Sequence, residues 1–252
     1  MKYTALMVAL SSALWLPGCS KNTTNPKATP PIKLYAETPV PNTEVRTSPK
    51  PAIFTPSIGR AVAPVMQTLA PAEVDPKIKV TGRVTQALRW RDTLGQNTVV
   101  FSEERIAPPK PVVTGDQGPG RALYATHYLM LAVGGEFVRK REVKDRYESC
   151  GFDLDVRFLK SSFGVTDLDG DGVGEVTFAY VVDCVSDVSP KTLKLLMLED
   201  GSKYILRGQS SIQLGPNETA GGVFRVDQSF TSAPTSFLLH AGKLWSRIRA
   251  LK

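Results

Sequence analysis

The chain has 252 residues, 42% of them hydrophobic, which is enough for one large core or two small ones. Its formal charge of +7 falls to +6 once the segment carrying Lys2 is set aside, and the excess is scattered rather than run together with aromatics. Such a distribution argues against nucleic acid as the partner. With only two His, no Gly-rich phosphate loop, no G-x-S-x-G and no H-E-x-x-H, the common catalytic constellations are missing.

The amino terminus reads as an export signal over residues 1–18. Lys2 precedes an apolar run from Ala5 to Leu16, too short for a membrane span and of the length of a signal-peptide core. The run ends in Leu16-Pro17-Gly18-Cys19, which resembles a bacterial lipobox and implies lipidation of Cys19. Ser20 after it resembles the sorting pattern for the outer membrane. From Cys19 to Pro76 the chain is rich in Pro, which removes backbone donors and fixes extended conformations. This stretch is expected to be a disordered tether, the alternative being a short partner motif at its apolar islands Ile53-Phe54 and Val65-Met66.

Folding is expected from Lys77 to Lys252, as a mainly β (α+β) domain of antiparallel hairpins closed by a helix. Ile78, Val80, Gly82 and Val84 suggest a first strand, and Ala87 to Val100 a hairpin turning near Leu94-Gly95. Ala122–Val133 and Glu136–Val143 form a second hairpin through Gly134-Gly135. Phe152 to Leu159 alternates Phe152, Leu154, Val156 and Phe158 against Asp153, Asp155 and Arg157, a strand with one wet face. Leu193–Leu198 and Tyr204–Leu206 flank an Asp200-Gly201 turn, while Leu214 to Gln228 shows little pattern. After Pro234, Ser236 is the expected cap of an amphipathic helix with Phe237, Ala241, Leu244, Trp245 and Ile248 on its apolar stripe.

Phe163 to Cys184 is the most informative stretch. Asp167, Asp169, Asp171 and Glu175 stand at positions 1, 3, 5 and 9 of a calcium loop, with Gly172 at the turn and the carbonyl of Val173 at position 7. Carboxylates so crowded repel one another unless a cation sits among them. Position 12 is Phe178, not Glu, and Val176, Phe178, Tyr180 and Val182 continue at a period of two, so the loop feeds a strand. In this it resembles the D-x-D-G-D-G turns of FG-GAP and VCBS calcium-binding repeats, although no second copy occurs in the chain.

Of the three Cys, Cys19 is assigned to lipid, which leaves Cys150 and Cys184 to pair in an oxidising compartment. Asp187-Val188-Ser189-Pro190 reads as a turn, with Asp187, Ser189 and Pro190 a possible ligand position. His127 and His240 are expected to be packed rather than catalytic.

Five segments resemble, in this order, a family of bacterial envelope proteins labelled surface polysaccharide biosynthesis. They are Ala87–Glu103, Ala122–Leu131, Cys150–Leu159, Val165–Val176 and Asp187–Gly208, the last (DVSPKTLKLLMLEDGSKYILRG) being the most specific. The resemblance implies an envelope location and surface polysaccharide or an envelope protein as partner, without a defined reaction. The expectation is thus a lipid-anchored, calcium-stiffened, non-enzymatic protein. The alternative is an enzyme acting on surface polysaccharide through paired carboxylates among Asp153, Asp155, Asp183 and Asp187.

Overall fold

The chain divides into two units, Met1–Phe54 and Thr55–Lys252. A computed structural model describes residues 64–108, 110 and 117–251, all within the second. The expected signal, Cys19 as the expected lipidation site and most of the expected tether lie outside the described residues.

Twelve antiparallel strands and one C-terminal helix follow in order: β1 (Gln67–Leu69), β2 (Arg83–Asp92), β3 (Gly95–Ile106), β4 (Gly120–Met130), β5 (Val138–Tyr147), β6 (Asp153–Thr166), β7 (Glu175–Val185), β8 (Thr192–Glu199), β9 (Ser202–Gln209), β10 (Ser211–Gly215), β11 (Glu218–Gly221), β12 (Phe224–Val226) and α1 (Thr235–Ile248). The first sheet runs β1-β2-β3-β4-β5 and the second β12-β9-β8-β7-β6, with β10-β11 as a separate ribbon. All neighbours but β12 and β9 are sequential; the tightest connection is Asp200-Gly201, with φ of 37° and 84°, the two-residue hairpin that its sequence announces.

Two-residue alternation decides how the layers stack. Leu88, Trp90, Val99, Phe101, Leu123 and Ala125 of the first sheet pack with Val156, Val176, Phe178, Tyr180, Leu196 and Leu198 of the second. Phe101 lies flat on Phe163 at 4.2 Å and edge-on to Phe178 at 5.3 Å, so aromatic contacts cross between the sheets. The opposite face of β7 is also apolar. Ala179 and Val181 join Leu193, Leu195, Met197 and Leu206 under Phe237, Ala241, Leu244, Trp245 and Ile248 of α1. A strand buried on both faces explains why β7 reads as an almost unbroken apolar run. No helix among the described residues is long and apolar enough to cross a membrane.

Several expectations need correction. The stretch expected as a tether up to Pro76 holds a strand, for β1 pairs with β2 from Gln67↔Arg89 to Leu69↔Ala87, and Leu69 is buried. Its pairing is long-range and its Pro-rich surroundings conceal it. Residues 78–82 are not a strand: Ile78 is a buried loop anchor and Gly82, at φ 74°, ends the irregular segment before β2. β6 continues past Leu159 to Thr166 through a register shift between Leu159 and Gly164. The unpatterned stretch from Leu214 holds β11, β12 and the end of β10. Ser236 does not cap α1; Pro234 holds that position with no side-chain hydrogen bond.

Candidate functional site: an acidic loop spanning two sheets

β6 and β7 are joined by residues 167–174, and the ladder closes on Thr166↔Glu175. Each Asp folds the loop back on itself. Gly170 N and Gly172 N donate to the two oxygens of Asp167 at 2.8 and 3.2 Å, Asp171 N to Asp169 Oδ1 at 3.4 Å and Val173 N to Asp171 Oδ1 at 2.7 Å. Gly172 has φ 84°, and a Cβ there would meet Thr93 Cγ2 at 2.7 Å, so the turn has both a conformational and a steric reason for glycine.

The carboxylates converge. Oxygens of Asp167, Asp169 and Glu175 lie within 4.8 Å of one another, as do those of Asp169, Asp171 and Glu199. Glu175 is fully buried; its oxygens accept from Leu168 N at 3.0 and 3.1 Å and from Thr166 Oγ1 at 2.8 Å. Burial nevertheless pushes its carboxyl up to about 7, the hydrogen bonds opposing and Asp169 adding to the shift. Glu199, at the end of β8, is also pushed up to about 7, first by burial and then by Asp169, Glu175 and Asp171. Its Oε1 is buried without a hydrogen-bond partner. No Lys or Arg among the described residues forms an ion pair with any of these five acids.

The loop is also bonded to the other sheet. Thr93, in the β2–β3 turn, donates to Gly172 O through its amide at 3.0 Å and its hydroxyl at 2.9 Å. Beside it, Asp92 Oδ2 accepts from Gly174 N at 3.0 Å and Trp90 Nε1 at 3.1 Å, while Oδ1 accepts from Leu94 N at 3.0 Å and Gly95 N at 3.2 Å. One carboxylate thereby joins the acidic loop, a core Trp and a hairpin turn. His127 is stacked on Trp90 with centroids 5.5 Å apart and bonded to Asn97 at 2.8 Å. Burial lowers its pKa to about 4, with Asp92 and Asp200 resisting, so it stays neutral and packed.

Cys150 and Cys184 form a disulfide with Cα atoms 5.7 Å apart, at the far end of β6 and β7 from the loop. A disulfide is characteristic of a chain that folds outside the reducing cytoplasm. Of the four other acids expected as paired carboxylates, Asp155 and Asp183 stand opposite one another on β6 and β7, whereas Asp153 and Asp187 lie apart from them, and both members of the pair are already engaged. Asp153 is exposed, and Asp187 lies in an exposed turn, accepting from the Ser189 hydroxyl. Asp183 accepts from Cys184 N at 2.8 Å and Thr192 N at 2.6 Å. Asp155 does not face open solvent as expected: Arg157 at 2.8 Å and Lys191 at 2.7 Å hold it, with only 14% of its side chain exposed. Asp187, Ser189 and Lys191 do line a cleft of about 360 Å³ beside Ser210 and Leu251, whereas Pro190 packs against Gly221 rather than into it.

Sequence spacing finds four of the five converging carboxylates. Glu199 and Asp92 escape it, because they stand 24 and 83 residues from Glu175 by number and nothing local marks either as facing the loop. The fold and site define a two-sheet β-domain, helix-covered on one side, with an acidic loop at one end. Compared with known proteins, the chain matches no family model, no curated protein and no solved structure.

Proposed function

We propose that the acidic loop holds one structural calcium ion in an exported, lipid-anchored envelope protein, which acts without catalysis in the assembly or binding of surface polysaccharide. The observation that carries the metal is five carboxylates in two groups that share Asp169, with no Lys or Arg among the described residues paired to them. Ca²⁺ takes six to eight oxygen ligands. Asp167, Asp169, Asp171 and Glu175 with the Val173 carbonyl supply the loop's share, and Glu199 supplies a carboxylate from a neighbouring strand where an EF-hand would use position 12. A bound cation would favour the ionised forms of Glu175 and Glu199, offsetting the burial that now disfavours them. Because the loop is bonded to Thr93 and Asp92, ordering it would stiffen the junction of the two sheets.

The disulfide supports export, and the lipobox-like Cys19 supports the anchor. A non-catalytic role fits acids that are engaged elsewhere, Asp155 by two cations and Asp183 by two backbone amides. The deciding experiment is thermal melting of the protein in calcium and in chelator, with Asp169→Asn/Asp171→Asn as control. Calcium should raise the midpoint with half-saturation of about 10⁻⁴ to 10⁻³ M, as in extracellular modules, and the double variant should not respond. An unchanged midpoint removes the metal. Labelling with a fatty-acid analogue, absent in Cys19→Ser, tests the anchor separately.

A further inference from the structure

The face that the second sheet turns toward the first changes character along its width. On β7 it carries Phe178 and Tyr180, and on β8 Leu196 and Leu198, all buried. Two residues further along β8 the same face presents Lys194 and then Thr192, and on β9 Ile205 is followed by Arg207 and Gln209. Register sets Lys194 opposite Arg207, and Arg207 opposite Arg225 of β12. Three basic residues therefore stand side by side on three adjacent strands, whose backbones are about 4.8 Å apart. They line an open groove of about 450 Å³ together with Thr192 and Gln209.

Like charges directly opposite one another destabilise a sheet, and the fold answers this only in part. Lys194 reaches Asp145 on β5 and Arg207 reaches Asp227 just after β12. Arg225 has no ion-pair partner among the described residues, and no acid lines the groove. We propose that this row binds a carboxylate-bearing oligosaccharide, a uronic-acid segment lying across β8, β9 and β12. Arg225 is the cation open to a first carboxylate, and the next residues of the sugar chain would reach Arg207 and Lys194, each of which keeps its acid partner. The guanidinium groups of Arg207 and Arg225 suit bidentate carboxylate recognition, and Thr192 and Gln209 offer neutral partners for sugar hydroxyls. A peptide would ordinarily bind by adding a strand along the free edge of β12; the row of basic residues instead runs across the strands, at right angles to such a ladder. The volume is that of a small-ligand site.

This inference gives the polysaccharide-binding reading above a ligand class and a place, and it rests on that reading without needing the calcium loop. The test is calorimetric titration of the full chain with a galacturonic-acid hexamer in chelator, so that calcium cannot bridge sugar carboxylates to the acidic loop, below the melting midpoint recorded in the same buffer. Binding should weaken with added salt, be absent for the methyl-esterified hexamer, and fall at least tenfold in Arg225→Glu, an exposed edge position whose folding is checked by its melting curve. Equal binding of the esterified sugar, equal or tighter binding of polyglutamate, an undiminished Arg225→Glu or no heat with the hexamer each overturns the proposal. Failure here leaves the calcium melting result standing, and failure of the calcium test leaves this one standing.

Discussion

β7 has acidic residues near both of its ends, and the two ends treat them in opposite ways. At the disulfide end Asp155 lies between Arg157 and Lys191, and Asp183 is filled by the amides of Cys184 and Thr192. At the loop end Asp167, Asp169, Asp171, Glu175 and Glu199 meet chiefly one another and backbone amides. The first arrangement is complete without any ligand, and a covalent bond closes it. The second leaves two carboxyls at about 7, a sign that their ionised forms lack compensation. Residue type alone says nothing about which fate an acid has; what matters is which distant donors the strand order brings to it.

The comparison can be broken most strongly at the covalent end. Cys150→Ser/Cys184→Ser opens a link with a sequence separation of 34 and should cost about 3 to 4 kcal/mol in urea unfolding. Its calcium response should be unchanged, since the loop is at the other end; a lost response would mean that the ends are coupled.

Acid should act next, through His127 beneath the loop end. Its folded pKa of about 4 is below the unfolded value of 6.5, so the unfolded chain binds the extra proton between those limits. The stability that neutral His127 contributes is complete above 6.5 and is lost as pH falls toward 4, a change on the order of 3 kcal/mol. Glu175 and Glu199, whose carboxyls are raised, work in the opposite sense, losing stability as pH rises toward 7 in chelator. Comparing wild type with His127→Gln across this range isolates the histidine, and parallel curves would refute its role.

Glu199→Gln sharpens the contrast. It should weaken calcium binding at least tenfold, yet raise the melting midpoint in chelator by removing one of several crowded charges. Loss of stability under both conditions would mark Glu199 as structural only. Asp155→Asn should have the smallest effect, about 1 kcal/mol or less and indifferent to calcium, because its pairs are partly exposed.

Much of this was legible in the residue order. The strand expected over Val176–Val182 forms as β7, with both faces buried where a period of two implies only one, and Asp200-Gly201 announced its hairpin. The 1-3-5-9 spacing announced an acidic turn, and with Cys19 assigned to lipid the remaining two cysteines were left to pair. β1 and β12, three residues each, were not legible, since so short a strand exists only through its partner. The helix was visible by its stripe, but its cap was misplaced because Pro234 starts it without a side-chain bond.

The sequence by itself determined every feature whose cause lies within about a dozen residues: strand period, hairpin turns, helix stripe and the crowding of acids in one loop. Only the tertiary structure decided which distant groups those features meet. It brought Glu199 to the loop and Asp92 beneath it, set Arg157 and Lys191 on Asp155, and aligned Lys194, Arg207 and Arg225 in one row. The physical reason is that local conformation follows from neighbouring side chains, whereas the charge balance of a carboxylate or a guanidinium depends on strand order and register, which the packing of both sheets sets together.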